Sequence, residues 1–289
     1  MIGTFDYVRV SSVKEGCALI VAHNGSAMAL AGGTDLLVNI RNGVRSPDLL
    51  VDFKDVAKMN QLVTDETTGV KIGACVPLNV IADNRVINEH YRALAEAARS
   101  VGSYQVRNRA TLGGNIANAS PAADTAPALL ILDAHVDISG KDGTRKIPIR
   151  ELFTGVKKTS LRTGEVITDI TLPPVGPRLR SAFTKKQRVR GHDLAIINMA
   201  GYYDPDVGLL RLAIGSCAVT PILLPEINLS GDEPIDELVR RLNGVAQDAI
   251  SPIDDIRASA EYRRGLVPVL LHDLLSVLLD REGGADEAA

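Results

Sequence analysis

Short apolar runs set between helical stripes dominate the first half of the chain. Residues 5–7 suit a short edge strand, and Ser12 set against Glu15 forms a capping box that opens a helix ending near Asn24-Gly25. A strand over 28–31 runs into the pair Gly32-Gly33 and a helix over 35–42 stopped by Gly43; 49–52 is again a strand. After the turn Thr67-Thr68-Gly69, residues 70–74 alternate apolar with polar or small side chains, the period of a half-buried strand. Helices are expected over 78–84 and 90–101, the second with Leu94, Ala95, Ala97, Ala98 and Val101 on one packed face.

The pattern then breaks. Residues 102–115 are rich in hydrogen-bonding groups, too polar for a core element, and closed by a second double glycine, Gly113-Gly114; residues 118–124 continue them as a loop. An apolar helix over 125–132 follows, which Asp124 can cap. Residues 135–139 and 144–149 form a hairpin around Lys141-Asp142-Gly143, and 165–172 alternate as a strand. The run Pro173-Pro174-Val175-Gly176-Pro177 cannot join a sheet interior and marks a linker. Beyond it, strands over 182–185, 196–203 and 209–215 make an antiparallel meander, and helices over 235–242 and 257–271 follow, the last kinked or interrupted at Pro268. The chain thus divides into residues 1–176, residues 177–281 and a disordered tail over 282–289, with no internal repeat.

Composition narrows the chemistry. With 289 residues, 45% of them hydrophobic, the chain has material for a full core. No run reaches the ~20 apolar residues of a membrane helix, and residues 1–7 have neither a basic nor an apolar leader region, so a cytoplasmic location is expected. A net charge of −3, dispersed along the sequence, gives no electrostatic case for nucleic acid or membrane. Cys17, Cys75 and Cys217 are far apart and read as buried thiols, and the five histidines show no metal-ligand spacing. Redox chemistry would need an organic cofactor.

The glycine pairs suggest one. Adjacent glycines let a backbone take positive φ and let a ligand approach its N–H groups, while Thr34 or Asp35 can cap the following helix. An ordinary capped strand-to-helix turn explains the first pair equally well. A dinucleotide fold of the G-x-G-x-x-G type is excluded by the spacing, and Gly155-Val156-Lys157-Lys158-Thr159 lacks the glycine a P-loop places before its lysine. Two glycine loops converging on one diphosphate suit an extended dinucleotide such as FAD.

In this order, Ala31-Gly32-Gly33-Thr34-Asp35-Leu36, Gln105-Val106-Arg107-Asn108, Thr111-Leu112-Gly113-Gly114-Asn115-Ile116, Ser120-Pro121-Ala122-Ala123-Asp124, Ser181-Ala182-Phe183 and the segment from Arg257 to Arg264 resemble the FAD-binding subunit of xanthine dehydrogenase and carbon monoxide dehydrogenase molybdenum hydroxylases. The resemblance spans nearly the whole chain. It implies an α+β fold: a two-subdomain FAD-binding domain of the PCMH (vanillyl-alcohol-oxidase-like) type, then a small domain with a three-stranded antiparallel sheet and helices. It also implies FAD contacts at Met28, Ala29, Leu30, Ala31, Gly32, Gly33, Thr34, Asp35 and Leu36, and at Val101, Thr111, Gly113, Gly114, Asn115, Ala123, Asp124 and Ile167. Relatives carry a lysine next to Phe183; here Thr184 stands there and the role passes to Lys185. Asp35 and Asp124 can serve equally as caps, and Lys185 as a solvated strand lysine.

By the same resemblance the chain is an electron-transfer flavoprotein subunit. A partner with two [2Fe–2S] clusters would feed its FAD, a molybdopterin-binding partner would hydroxylate the substrate, and NAD⁺ or another acceptor would take the electrons. The reductase type with an extra iron–sulfur cluster is set aside for want of a cysteine-bearing insertion, and the xanthine dehydrogenase type fits best. Alternatives are a self-sufficient FAD oxidase or reductase of the same flavin-binding superfamily and a scaffold that has lost FAD.

Overall fold

A computed structural model describes residues 4–65, 67–189, 191–229 and 233–279. The expected tail over 282–289 lies outside the described residues. The first layer is parallel: β1 (Asp6–Arg9), α1 (Val13–Ala22), β2 (Ala27–Leu30), α2 (Leu36–Arg41) and β3 (Leu49–Asp52) give a sheet in the order β1-β3-β2. Central β3 is buried along its whole length, and β1 is the edge strand its sequence suggests. Ser12 Oγ accepts from the Glu15 N–H at 3.3 Å, and the Glu15 carboxylate accepts from the Ser11 N–H at 3.1 Å, one residue earlier than an ideal capping box.

A second subdomain starts with β4 (Leu62–Asp65), a largely exposed strand that hydrophobic periodicity does not reveal, and β5 (Gly69–Gly73). Six helices follow: α3 (Leu78–Asp83), α4 (Arg85–His90), α5 (Arg92–Ser100), α6 (Tyr104–Arg107), α7 (Leu112–Asn118) and α8 (Thr125–Ile131). The hairpin β6 (His135–Gly140) and β7 (Gly143–Pro148), the small ribbon β8 (Phe153–Gly155) and β9 (Lys158–Thr159), and β10 (Val166–Leu172) complete it. The main sheet is antiparallel, ordered β4-β5-β10-β6-β7. The strand expected over 165–172 is β10, which is central, with only Thr171 not buried. Its polar residues are matched: Thr168 Oγ1 donates to the Asp137 carbonyl at 3.2 Å, and Asp169 lies 3.6 Å from the Lys71 ammonium.

After the proline run, β11 (Arg180–Lys186), β12 (Ile197–Asp204) and β13 (Leu209–Gly215) form the expected meander. Short strands β14 (Ile222–Leu223) and β15 (Ile227–Asn228) both pair with β13, so the sheet has five strands where three are expected. α9 (Ile235–Ala249) outruns its expected end because Ala246 continues the buried stripe of Leu238 and Leu242. α10 (Ala260–Leu278) passes through Pro268 without stopping. Proline removes the N–H that would bond the Arg264 carbonyl; Gln247 Nε2 on α9 donates to that carbonyl at 2.9 Å instead.

The two halves of the chain meet where β11 lies along α5, and their periods match. The Ala93 N–H donates to Ser181 Oγ at 3.1 Å, the Phe183 N–H to Glu96 at 2.9 Å, and Lys185 Nζ to the Ser100 carbonyl at 3.1 Å. Steps of three or four residues on a helix and two on a strand cover nearly the same distance, so one face of each stays in register.

Candidate functional site: two glycine pairs and a buried ion pair

Gly33 has φ +74°, the left-handed region that favours glycine. Gly32 is glycine for another reason: a Cβ there would lie 1.9 Å from the Arg109 carbonyl oxygen and 3.0 Å from the Ala110 Cα. The first turn therefore rests directly on the backbone that leads into Thr111. Among the described residues, the N–H groups of Gly32, Gly33, Thr34 and Asp35 have no acceptor, and the side chains of Thr34 and Asp35 make no hydrogen bond. The reading of Asp35 as a side-chain cap is thereby corrected: it precedes α2 with φ −95° and ψ −45° and caps nothing. This leaves a cluster of free donors on a short turn, the chemistry a diphosphate requires.

The second pair differs. What reads as a polar loop contains α6 and α7, and Gly113-Gly114 lies in the first turn of α7. The low helix propensity of glycine hid the helix, although Thr111 was a visible cap signal. Thr111 Oγ1 accepts from the Gly114 N–H at 3.1 Å, the Gly113 N–H donates to the Ala74 carbonyl at 3.1 Å, and the Asn115 N–H to the Thr111 carbonyl at 2.9 Å. Both N–H groups of this pair are thus engaged within the chain, unlike those of the first pair. A Cβ on Gly113 would stand 2.4 Å from the Ala74 Cβ, which accounts for that glycine by close packing. Asn115 is the open group here: its Oδ1 accepts from Thr125 Oγ1 at 2.6 Å, and among the described residues its Nδ2 has no acceptor.

Asp124 is not a side-chain cap of α8 either. Its carboxylate sits 2.7 Å from Lys185 Nζ and accepts from Asn198 Nδ2 at 2.8 Å, and the Asp124 and Lys185 side chains are each only 6% exposed. Lys185 is therefore no solvated strand lysine. Burial pushes the Asp124 carboxyl up, and Lys185 and Asn198 pull it back only in part. Asn198, fully buried on β12, is a residue the sequence reading missed; an amide inside the run Ile196-Ile197-Asn198-Met199 was the available signal. Lys185→Met should cost about 3 kcal/mol in denaturant unfolding, by leaving a carboxylate buried without its cation. Adding Asp124→Asn should recover much of that loss, and equal costs for the single and double variants would refute the coupling.

The remaining expected positions fall around these two centres. Met28 and Leu36 pack against Leu30, Ile40 and Leu50, and Ala29 lies on β2. The Ala31 carbonyl accepts from Lys54 Nζ at 3.0 Å, while Lys54 pairs with buried Asp52 at 2.7 Å; this anchor under the first turn also went unforeseen. Val101 ends α5 beside Ser100, which contacts Lys185. Ala123 is buried just before Asp124. Ile167 is buried at a register shift of β10, next to Thr168, whose carbonyl accepts from the Ala74 N–H at 2.9 Å. Ala74 thus joins the Ile167 strand to Gly113, and Arg109-Ala110 joins the first turn to Thr111.

The comparisons follow this geometry. Residues 3–175 match the model of the FAD binding domain in molybdopterin dehydrogenase, and residues 181–277 match that of the CO dehydrogenase flavoprotein C-terminal domain. A carbon monoxide dehydrogenase structure from Hydrogenophaga pseudoflava superimposes with a TM-score of 0.91 at 26% identity, covering 97% of this chain and 99% of that one. The fold and both family matches therefore define a flavoprotein subunit. The chain is 31% identical over 271 residues to the glyceraldehyde dehydrogenase medium chain of Sulfolobus acidocaldarius, covering 92% of this chain and 95% of that one. It is also 31% identical over 291 residues to the xanthine dehydrogenase FAD-binding subunit of Escherichia coli O157:H7, covering 96% and 97%. The chain belongs to the family of FAD-binding medium subunits of the xanthine dehydrogenase and carbon monoxide dehydrogenase molybdenum hydroxylases. It is an oxidoreductase subunit whose cofactor is FAD. The free donors at Gly32 to Asp35 and at Asn115 fit that group.

Proposed function

We propose that this chain relays electrons within a three-subunit molybdenum hydroxylase. A small partner with [2Fe–2S] clusters delivers electrons, a large molybdopterin-binding partner hydroxylates the substrate, and NAD⁺ or another acceptor collects the electrons here. Bound FAD supplies the step between one-electron donors and a two-electron acceptor. The residues of this chain hold it: the N–H groups of the first turn and the Asn115 amide are assigned to its phosphate and ribityl oxygens, and the Asp124–Lys185 pair to its polar edge. Residues 1–176 form the flavin-binding part and residues 177–281 the C-terminal part, and the complex is placed in the cytoplasm. Among the described residues, no helix is long and apolar enough to cross a membrane.

The observation that carries this reading is the match of both parts of the chain, in order, to a flavoprotein subunit. The cysteines support it. Burial pushes the Cys75 thiol up to about 12 and the Cys217 thiol up to about 11, so both are inert buried thiols, in keeping with clusters carried by a partner. Expression together with the adjacent open reading frames should yield one complex carrying flavin, iron and molybdenum, whose flavin bleaches when NADH is added anaerobically. A chain that purifies alone and turns over a substrate of its own would establish the self-sufficient oxidase instead.

A further inference from the structure

Between α5 and the end of β11 the structure forms an open pocket of about 510 Å³ lined by Arg99, Arg107, Ser100, Thr184, Lys185 and Glu96, among others. Its charge is not balanced. Arg99 donates to the Ala82 carbonyl at 2.6 Å and to Asn88 Oδ1 at 3.1 Å. Arg107 donates to Asn79 Oδ1 at 2.9 Å and to the Val101 carbonyl at 3.1 Å. All four acceptors are neutral. Among the described residues neither guanidinium has a carboxylate within 4.0 Å. Glu96 is engaged elsewhere, by Arg92 at 2.7 Å and the Phe183 N–H at 2.9 Å, and the Lys185 charge is met by Asp124 at 2.7 Å. Burial, and next the neighbouring Arg99, push the Arg107 guanidinium down from its ordinary value, and Asp83 pulls it back only in part.

Two guanidinium groups held at a pocket wall by neutral acceptors are oriented before any anion arrives. We propose that this pocket binds the phosphate of a nucleotide between Arg99 and Arg107. Phosphate suits the fork of N–H donors that each arginine presents, and a doubly charged group answers two cations that no carboxylate touches directly. The volume lies within the ~300–1,000 Å³ of small-molecule sites and exceeds the needs of a single ion. The phosphate is that of a second nucleotide, because the diphosphate of the FAD is assigned above to the first turn, and the proposal rests on that assignment.

The test is calorimetric titration of the purified full chain, with its FAD and after FAD removal, using ADP and inorganic pyrophosphate. The FAD-loaded protein should bind both, more weakly as salt rises, and Arg99→Gln should weaken binding about tenfold. Thr184→Glu, which places a carboxylate at the pocket wall and removes no arginine contact, should weaken it similarly. Binding confined to the FAD-free protein would overturn the proposal, because the pocket would then belong to the FAD site itself. No binding to either form, or binding indifferent to both substitutions, overturns the proposal.

Discussion

Gly32→Ala is expected to yield protein that unfolds earlier and retains well under stoichiometric FAD. The added methyl has no room, because its Cβ would stand 1.9 Å from a backbone carbonyl oxygen, not from a side chain that can rotate away. Either the first turn or the segment Arg109-Ala110 must retreat. Since the Ala110 carbonyl accepts from the Leu78 N–H at 2.9 Å, and Pro77 bridges to Thr111, retreat of the second segment breaks further contacts. The cost should reach or exceed the ~3 kcal/mol at the top of the usual overpacking range. Thermal unfolding and the ratio of flavin to protein absorbance check both halves. A variant with unchanged melting temperature and full flavin would show that the two turns do not touch.

Arg263→Met is expected to destabilise the C-terminal part by about 3 kcal/mol, the lower end of the range for breaking a buried ion pair. Arg263 is 1% exposed, donates to the Ser216 carbonyl at 2.8 Å, and reaches Asp255 at 2.6 Å, so one side chain ties α10 to the end of β13. Arg257 also holds Asp255, which moderates the loss. Arg263→Lys should recover little, because an ammonium cannot reproduce the fork. The effect should depend on pH in a defined sense. Burial pushes the Asp255 carboxyl up, but hydrogen bonds from Arg257 and Arg263 outweigh it and hold the group well below the usual carboxylate range. A carboxyl with a depressed pKa contributes stability in full above its unfolded value near ~4 and loses it as pH falls further. The gap between wild type and Arg263→Met in urea unfolding should therefore narrow below about pH 4. A gap that widens in acid would sink this account.

The elements of the first layer and the meander were legible because β1 to β3, α5 and β11 to β13 obey simple periods. The helix α7 was not, since Gly113 and Gly114 oppose helix formation in isolation and are tolerated only because Ala74 packs against one and Thr111 caps the other. The passage of α10 through Pro268 depends on Gln247, far away in sequence, and no local pattern carries that information. At the site, the glycine pairs and Asp124 were visible as residue types, but their roles were not. Asp124 reads as a cap until Lys185 and Asn198, from the other half of the chain, are seen around it. Asn198, Lys54 and Asp52 stayed hidden because each is defined by a partner brought near only by folding.

The shared register of α5 and β11 bears on how this polypeptide can be divided. A cut within the proline run would separate Ala93 from Ser181, Glu96 from Phe183 and Ser100 from Lys185, and leave Asp124 buried in one fragment with its cation in the other. The prolines mark a change of sheet, not a seam. Gene fusion, shuffling or engineering that treats this chain as two exchangeable modules would have to carry both surfaces across together.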